Sequence, residues 1–371
     1  MNKNTNENRY VPRRIYEIEE YSPACEYYKI RLDANESPCP PPDGAVKRMT
    51  AAMAAAAFNR YPDPAARELR EAFAKAYKTD ADCVVAGNGS DELISLLMNM
   101  FLRAGDTVAV TAPDFSMYAF YASLIGCKII TVGKDKYCGI DFDAFARAVN
   151  ENNCKLVIFS NPCNPTGVAY DRERILGFYN KVDCPVIVDE AYMEFCRGGC
   201  SVLDLCGGGE ERLIVLKTLS KAFAGAGLRV GFSVSHPGVA SALRRVKSPY
   251  NLNSVSQECG KILLEGCSCV TEYAADTAKR TREMREALIG FSKENALYET
   301  AESDANFVLL TFSDRTPENE SSNAEKIFSY LKENSIIVRF PDRTHLRITC
   351  GTEEENAVFL NKFFEIAGTL S

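Results

Sequence analysis

The stretch L213-I-V-L-K-T-L-S-K-A-F-A-G-A-G-L-R-V-G-F232 opens with four apolar residues, passes through a loop of small side chains carrying Lys221, and turns apolar again after Arg229. The apolar run reads as a buried strand of a parallel sheet, because such strands are covered on both faces and need no polar alternation. A lysine set between a buried strand and a small-residue loop is a poor solubilising charge. It is well placed to lose its proton and bond covalently to a carbonyl.

Two upstream segments repeat the pattern of a strand that ends on a chemical group. In V186-I-V-D-E-A-Y192 three β-branched residues run into Asp189, which puts a carboxylate at the carboxyl end of a buried strand, where open α/β sheets bind ligands. Tyr192 follows three residues later. In L156-V-I-F-S-N-P-C-N-P-T-G167 another apolar strand ends in a proline-rich turn bearing Asn164. An unpaired buried carboxylate is costly, so Asp189 is expected to have a cationic partner. A reactive lysine, a carboxylate able to keep a pyridine nitrogen protonated, and two donors for a phenolic oxygen, Asn164 and Tyr192, together suggest pyridoxal 5'-phosphate (PLP) as cofactor.

Working outward, helices are expected over 45–57 and 65–77, then C83-V-V-A-G leading into an amphipathic run with Leu93, Ile94, Leu97, Met98 and Phe101. Strands are expected at 107–111, 127–132, 155–160, 185–189, 213–217 and 230–234, mostly separated by helices or loops. This is an α/β pattern: a mixed, mostly parallel sheet with helices on both faces. After Pro249 the pattern changes to long amphipathic helices at 254–265 and 270–294. An apolar strand at 305–312, a helix near 323–333, strands at 335–340 and 345–350 and a closing helix at 353–367 then make a smaller α+β unit. The chain divides accordingly into an N-terminal arm and part of the small domain (1–44), a large domain (45–260) and a small C-terminal domain (261–371).

A chain of 371 residues that is 46% hydrophobic can bury a large core. The net charge of −7, with Lys and Arg dispersed, makes an extended polyanion such as nucleic acid an unlikely partner and leaves small charged metabolites. The fifteen cysteines are scattered, several within apolar runs (Cys83, Cys154, Cys184), and read as reduced core residues. Cys267-x-Cys269 and Cys196-x-x-x-Cys200 lack the second pair of a zinc site, and His236 and His345 are the only histidines. The start M1-N-K-N-T-N-E-N-R-Y10 is polar, and no apolar stretch approaches the roughly 20 residues of a membrane helix, so a cytoplasmic protein is expected.

Further site residues emerge on either side. The glycines of G87-N-G-S-D91 allow close backbone approach, and Ser90 opens a helix whose free N–H groups suit a phosphate. Arg229, in a glycine-rich apolar segment, is a bidentate phosphate partner rather than a surface ion-pair member. Arg339 and Arg347 flank the short loop F340-P-D-R-T-H345, and two arginines on facing strands suit a doubly charged group.

The ordered set L32-D-A-N-E-S-P38, R60-Y-P-D63, G87-N-G-S-D-E92, N161-P-C-N-P-T-G167, Asp189 with Tyr192, T218-L-S-K221, Arg229 and L346-R-I-T349 resembles the fold-type I aminotransferases, and within them the histidinol-phosphate aminotransferase family. The resemblance implies a PLP enzyme in which Lys221 bonds to the cofactor, Asp189 holds its ring nitrogen, and Asn164 and Tyr192 hold its phenolic oxygen. It also implies that Ser90, Asp91, Thr218, Ser220 and Arg229 surround the phosphate, that Tyr118 stacks on the ring, and that Arg347, with Arg339, binds the substrate's anionic group. Tyr61 is implied to reach the cofactor phosphate of a neighbouring subunit in a homodimer. The implied reaction is transamination between histidinol phosphate and 2-oxoglutarate in histidine biosynthesis. The alternatives are a broad aromatic amino acid aminotransferase and a threonine-phosphate decarboxylase. The compact loop between Arg339 and Arg347 is shorter than is common in the family.

Overall fold

The computed structural model describes residues 8–16, 18, 26–313 and 320–370. Of the polar arm expected at 1–20, residues 1–7, 17, 19 and 20 lie outside the described residues.

In chain order the strands are β1 (Ile30–Leu32), β2 (Val84–Asn88), β3 (Thr107–Ala112), β4 (Lys128–Gly133), β5 (Leu156–Ser160) and β6 (Val186–Asp189), followed by β7 (Leu213–Thr218), β8 (Val230–Ser235), β9 (Tyr298–Thr300), β10 (Phe307–Phe312), β11 (Ile336–Asp342) and β12 (His345–Thr349). Seven form one sheet in the order β2-β8-β7-β6-β5-β3-β4. Its pairings from β7 through β4 are parallel, and β8 runs antiparallel to both β7 and β2. That is the mixed, mostly parallel α/β sheet expected from the sequence.

Every residue of β5, β6, β7 and β8 is buried. Alternate side chains go to opposite faces, as the two-residue period of a strand requires. Val157, Phe159, Val186, Val188, Leu213 and Val215 join one apolar cluster, with Phe145 and Phe178 from flanking helices. Ile158, Ile187, Ile214 and Leu216 join another, with Leu93, Leu97 and Met98. Helices therefore cover both faces, and the apolar runs of these strands lack alternation for that reason.

The remaining strands form a second sheet, β1-β11-β12-β10-β9. It packs on the helices Cys267–Asn295, Asn323–Glu333 and Glu353–Ala367 through Leu288, Leu310, Ile327, Val338, Ile348 and Phe359. The last helix starts on a reciprocal cap, the Thr352 side chain accepting from Glu355 N and Glu355 from Thr352 N. The sequence reading missed β1 and β9. Each is three residues long, too short to display a period.

Of the fourteen described cysteines, all free, seven are buried, six are half-buried and Cys269 is exposed. The expectation that the cysteines are core residues is therefore corrected for half of those described. No helix among the described residues is long and apolar enough to cross a membrane.

Candidate active site

β5, β6 and β7 run parallel, so the residues following them emerge at one edge of the large sheet. Together with segments 33–36 and 114–120 and the β11–β12 hairpin, they line a cavity of about 1340 Å³. Lys221, Asp189, Tyr192, Ser90, Asp91, Tyr118, Asn164, Thr218, Ser220, Arg229, Arg339 and Arg347 all line it. Of the residues expected from the sequence, Tyr61 alone stands outside. It is 79% exposed and stacks on Tyr250 with ring centroids 4.3 Å apart.

Asp189 ends β6 and is 4% exposed. Its carboxylate accepts from the Tyr118 hydroxyl (2.9 Å) and from Ala191 N (3.1 Å). No cationic side chain pairs with it among the described residues. Burial, only partly offset by those two donors, pushes its pKa up to about 7. The described residues thus leave the expected cationic partner to a ligand, and a carboxylate of this kind fits one that brings a positive charge, such as a protonated ring nitrogen.

The opposite wall is polar and cross-linked. Arg347, buried on β12, donates to Asn164 Oδ1 and to the Asp33 carbonyl, each at 2.6 Å. Because Asn164 Oδ1 is engaged, its NH₂ remains as the donor for a ligand. Lys221 Nζ donates to the Ala34 carbonyl at 3.0 Å, and Tyr192 OH accepts from Asn35 Nδ2 at 3.0 Å.

At the end of the cavity lined by Ser90, the helix Gly89–Phe101 begins directly after β2. Backbones crowd there. A Cβ on Gly231 would fall 2.4 Å from Ser90 N, and one on Gly89, at φ +81°, would fall 2.5 Å from Arg229 Nη2. The glycines thus let a helix N-terminus, Arg229 and the Thr218 and Ser220 hydroxyls, 3.0 Å apart, share one small region, an arrangement that fits a phosphate. Arg229 also pairs with Asp91 at 3.4 Å and is exposed. This corrects the expectation that it is not an ion-pair member. Charge on Asp91 balances the guanidinium across the cavity wall.

Arg339 and Arg347 sit directly opposite each other in the β11–β12 register, which places both side chains on one face.

Asn35 and Asp114 are among the cavity residues that the sequence reading did not assign. Asn35 lies in a quoted motif but had no role assigned, and no local pattern reveals its contacts. Asp114 ends the run T107-V-A-V-T-A-P-D114, the same strand-end signal that selected Asp189. It accepts from Thr111 Oγ1 (2.6 Å) and Ser160 Oγ, and pairs with Lys134 at 3.4 Å, both side chains nearly wholly buried.

The sequence profile of the family described as aminotransferase class I and II matches residues 27–363. Histidinol-phosphate aminotransferase of Clostridium kluyveri is 35% identical over 346 residues, covering 91% of this chain and 93% of that protein. The Clostridium novyi enzyme of the same name is 34% identical, with 94% of each chain covered. The crystal structure of histidinol-phosphate aminotransferase from Sinorhizobium meliloti in complex with pyridoxal-5'-phosphate shares the fold, with a TM-score of 0.87 and 20% identity over 99% of this chain and all of that one. A buried carboxylate suited to a cationic ligand, a lysine in the same cavity and a cradle that fits a phosphate, within a sequence matched almost end to end, lead to one conclusion: the chain belongs to the class I and II aminotransferases and is a PLP-dependent transaminase.

Proposed function

We propose that this enzyme transfers the amino group of histidinol phosphate to 2-oxoglutarate, as a step of histidine biosynthesis. The observation that carries this reading is the register pair Arg339 and Arg347 in the cavity that also holds Lys221 and Asp189. Two guanidinium groups on one face match a phosphate dianion, and the curated relatives bearing that substrate's name support the choice.

In this reading Lys221 carries the cofactor, Asp189 holds its ring nitrogen, and Asn164 and Tyr192 donate to its phenolic oxygen. Tyr118 lies against the ring. Ser90, Thr218, Ser220 and Arg229 hold its phosphate, with Asp91 steadying Arg229. The bound cofactor supplies a cationic conjugated ring that takes up the electron pair released at the donor's α-carbon. Lys221 Nζ, once freed by the incoming amine, would be the base that takes the donor's α-proton and the acid that later gives it back. Asp189 stays ionised opposite the ring's positive charge. Arg339 and Arg347 grip the phosphate of the donor and so fix the α-carbon beside Lys221.

The active unit is proposed as a cytoplasmic homodimer in which Tyr61 reaches the neighbouring cofactor phosphate, with small amino and 2-oxo compounds as its only substrates. The division into a large domain over 45–260 and a small one built from 261–371 and part of 1–44 is proposed with it. A second reading, an aromatic amino acid aminotransferase, draws on Phe115 and Phe120 in the cavity lining.

The test is a half-reaction panel with PLP-loaded enzyme. Histidinol phosphate should bleach the cofactor's visible absorbance at lower concentration than phenylalanine or tyrosine, and 2-oxoglutarate should restore it. A preference for unphosphorylated aromatic amino acids selects the second reading. Release of carbon dioxide from threonine phosphate without 2-oxoglutarate selects decarboxylation. Borohydride reduction and peptide mapping should place the label on Lys221, and a label on another lysine overturns the site.

A further inference from the structure

Tyr192 OH accepts a hydrogen bond from Asn35 Nδ2 at 3.0 Å, and Asn35 is itself held in one orientation. Its backbone N–H donates to Thr349 Oγ1 at 3.0 Å, while the Thr349 hydroxyl donates to Asn35 Oδ1 at 2.9 Å. Asn35, Thr349 and Tyr192 are all buried. Turning the Asn35 amide over would leave the Thr349 hydroxyl proton without an acceptor among the described residues, so Nδ2 is the atom that faces Tyr192. The Asn35 carbonyl accepts from Asn306 Nδ2 at 3.3 Å, and its φ of +53° is a left-handed conformation that a non-glycine residue keeps only when its surroundings hold it.

A tyrosine hydroxyl has one proton to give. With Nδ2–H pointing at its lone pair, that proton is left for the cavity, and the incoming bond polarises it further. We infer that Asn35, oriented by Thr349, is a positioning residue that makes Tyr192 a one-way hydrogen-bond donor into the cavity, toward the anionic phenolic oxygen of the bound cofactor. The inference rests on the cofactor placement proposed above. It adds that the donor is set from the second sheet, by Thr349 of β12, rather than by the turn after β6 that carries Tyr192. The same peptide also aims the Ala34 carbonyl at Lys221 Nζ, so one strap addresses two functional side chains.

The experiment follows the visible absorbance of the PLP-loaded enzyme through a pH titration, which reads the proton on the nitrogen linking Lys221 to the cofactor. Loss of a donor leaves more negative charge on the phenolic oxygen, which holds that proton more tightly and raises the midpoint. Tyr192→Phe should raise it by about one to two pH units, the worth of a charge-assisted hydrogen bond. Asn35→Asp, equal in size but an acceptor, should turn the Tyr192 proton away from the cavity and give a comparable rise, with Asn35→Ala giving a smaller one. In the Tyr192→Phe background Asn35→Asp should add little. A rise that persists in that background comes from the new charge alone and overturns the inference. Thr349→Val should match Asn35→Ala, and Thr349→Ser should restore the wild-type midpoint; this pair decides the matter should the Asn35→Asp protein not fold. If wild type acquires no visible band with PLP, the cofactor reading itself fails. If the band forms and its midpoint is unmoved in every Asn35 and Thr349 variant, only this inference fails.

Discussion

Tyr118 and Asp189 meet hydroxyl to carboxylate at 2.9 Å inside the core, and among the described residues this contact and one backbone N–H are the hydrogen bonds that stabilise the charge on Asp189. Neutral donors do not compensate for full burial, so the carboxyl holds its proton up to about pH 7 in the cofactor-free protein. A cationic ring nitrogen would reverse this by supplying the missing charge.

A stability effect with a defined sign results. Between the ordinary carboxylate pKa of 3.8 and about 7, the unfolded chain has lost this proton while the folded chain keeps it. The folded state binds more protons there, so its stability falls as pH rises through that window and levels off above it. The penalty is about 4 kcal/mol. Cofactor-free Asp189→Asn should therefore be more stable than cofactor-free wild type at pH 8, with the two alike at pH 4, as measured by thermal midpoints. Loading PLP should erase or reverse the difference. Equal midpoints at pH 8 without cofactor would mean that Asp189 already has a cationic partner.

For turnover the same residue predicts the opposite. Asp189→Ala should still bind PLP but slow α-proton removal by several powers of ten, because the ring nitrogen loses the charge that makes it an electron sink. Single-turnover absorbance changes with a saturating donor measure this directly. Near-normal rates would assign the ring nitrogen to another acid.

Next to Asp189, Glu190 is wholly buried and pairs with Lys217 at 3.2 Å, while Lys217 also meets Glu194 at 2.9 Å. Burial disfavours charge on Glu190 and Lys217 alike, and the two carboxylates together hold the Lys217 pKa above its ordinary value. Lys217→Met leaves two carboxylates without their cation and should destabilise the protein by about 3 to 5 kcal/mol. Urea midpoints test this. A cost under about 1 kcal/mol, in the range of an exposed pair, would show that water reaches the cluster.

The large sheet was legible because each of its central strands is a continuous apolar run ending on a polar group, and Asp189, Asn164 and Lys221 stand within a few residues of those ends. Strand-end position selects site residues well in a parallel sheet because all the carboxyl ends open on one edge. Asn35 was invisible for the converse reason. Its partners, Thr349, Tyr192 and Asn306, lie more than 150 positions away, and its left-handed backbone is imposed by them rather than by local sequence. β1 and β9 were lost to brevity. Asp114 was legible in principle, since it closes a strand-like apolar run as Asp189 does.

Tyr61 is largely exposed, outside the cavity, and pressed against Tyr250. A large aromatic in that position suits contact with a second subunit. Mixing a Lys221→Ala protein with a Tyr61→Ala protein, each nearly inactive alone, should restore up to about a quarter of wild-type activity, since random pairing yields half heterodimers with one intact site each. Sedimentation should give a dimer. A monomer with full activity would end the shared-site reading.

Arg339 decides between substrates because Arg347 is already committed. Arg347 spends hydrogen bonds on Asn164 and the Asp33 carbonyl, so its removal loosens the wall that presents Asn164 and should impair every donor. Arg339 sits opposite it in the register and supplies the second charge that a phosphate dianion requires and a single carboxylate does not. Arg339→Ala should cost about 2 to 5 kcal/mol in kcat/KM for histidinol phosphate, the range for removing one partner of a desolvated charge pair, while sparing most of any activity on phenylalanine. Measuring kcat/KM for both donors in wild type and in Arg339→Ala separates the cases. Equal losses for the two donors would mean that Arg339 shapes the pocket without reading the phosphate, and the aromatic aminotransferase reading would take its place.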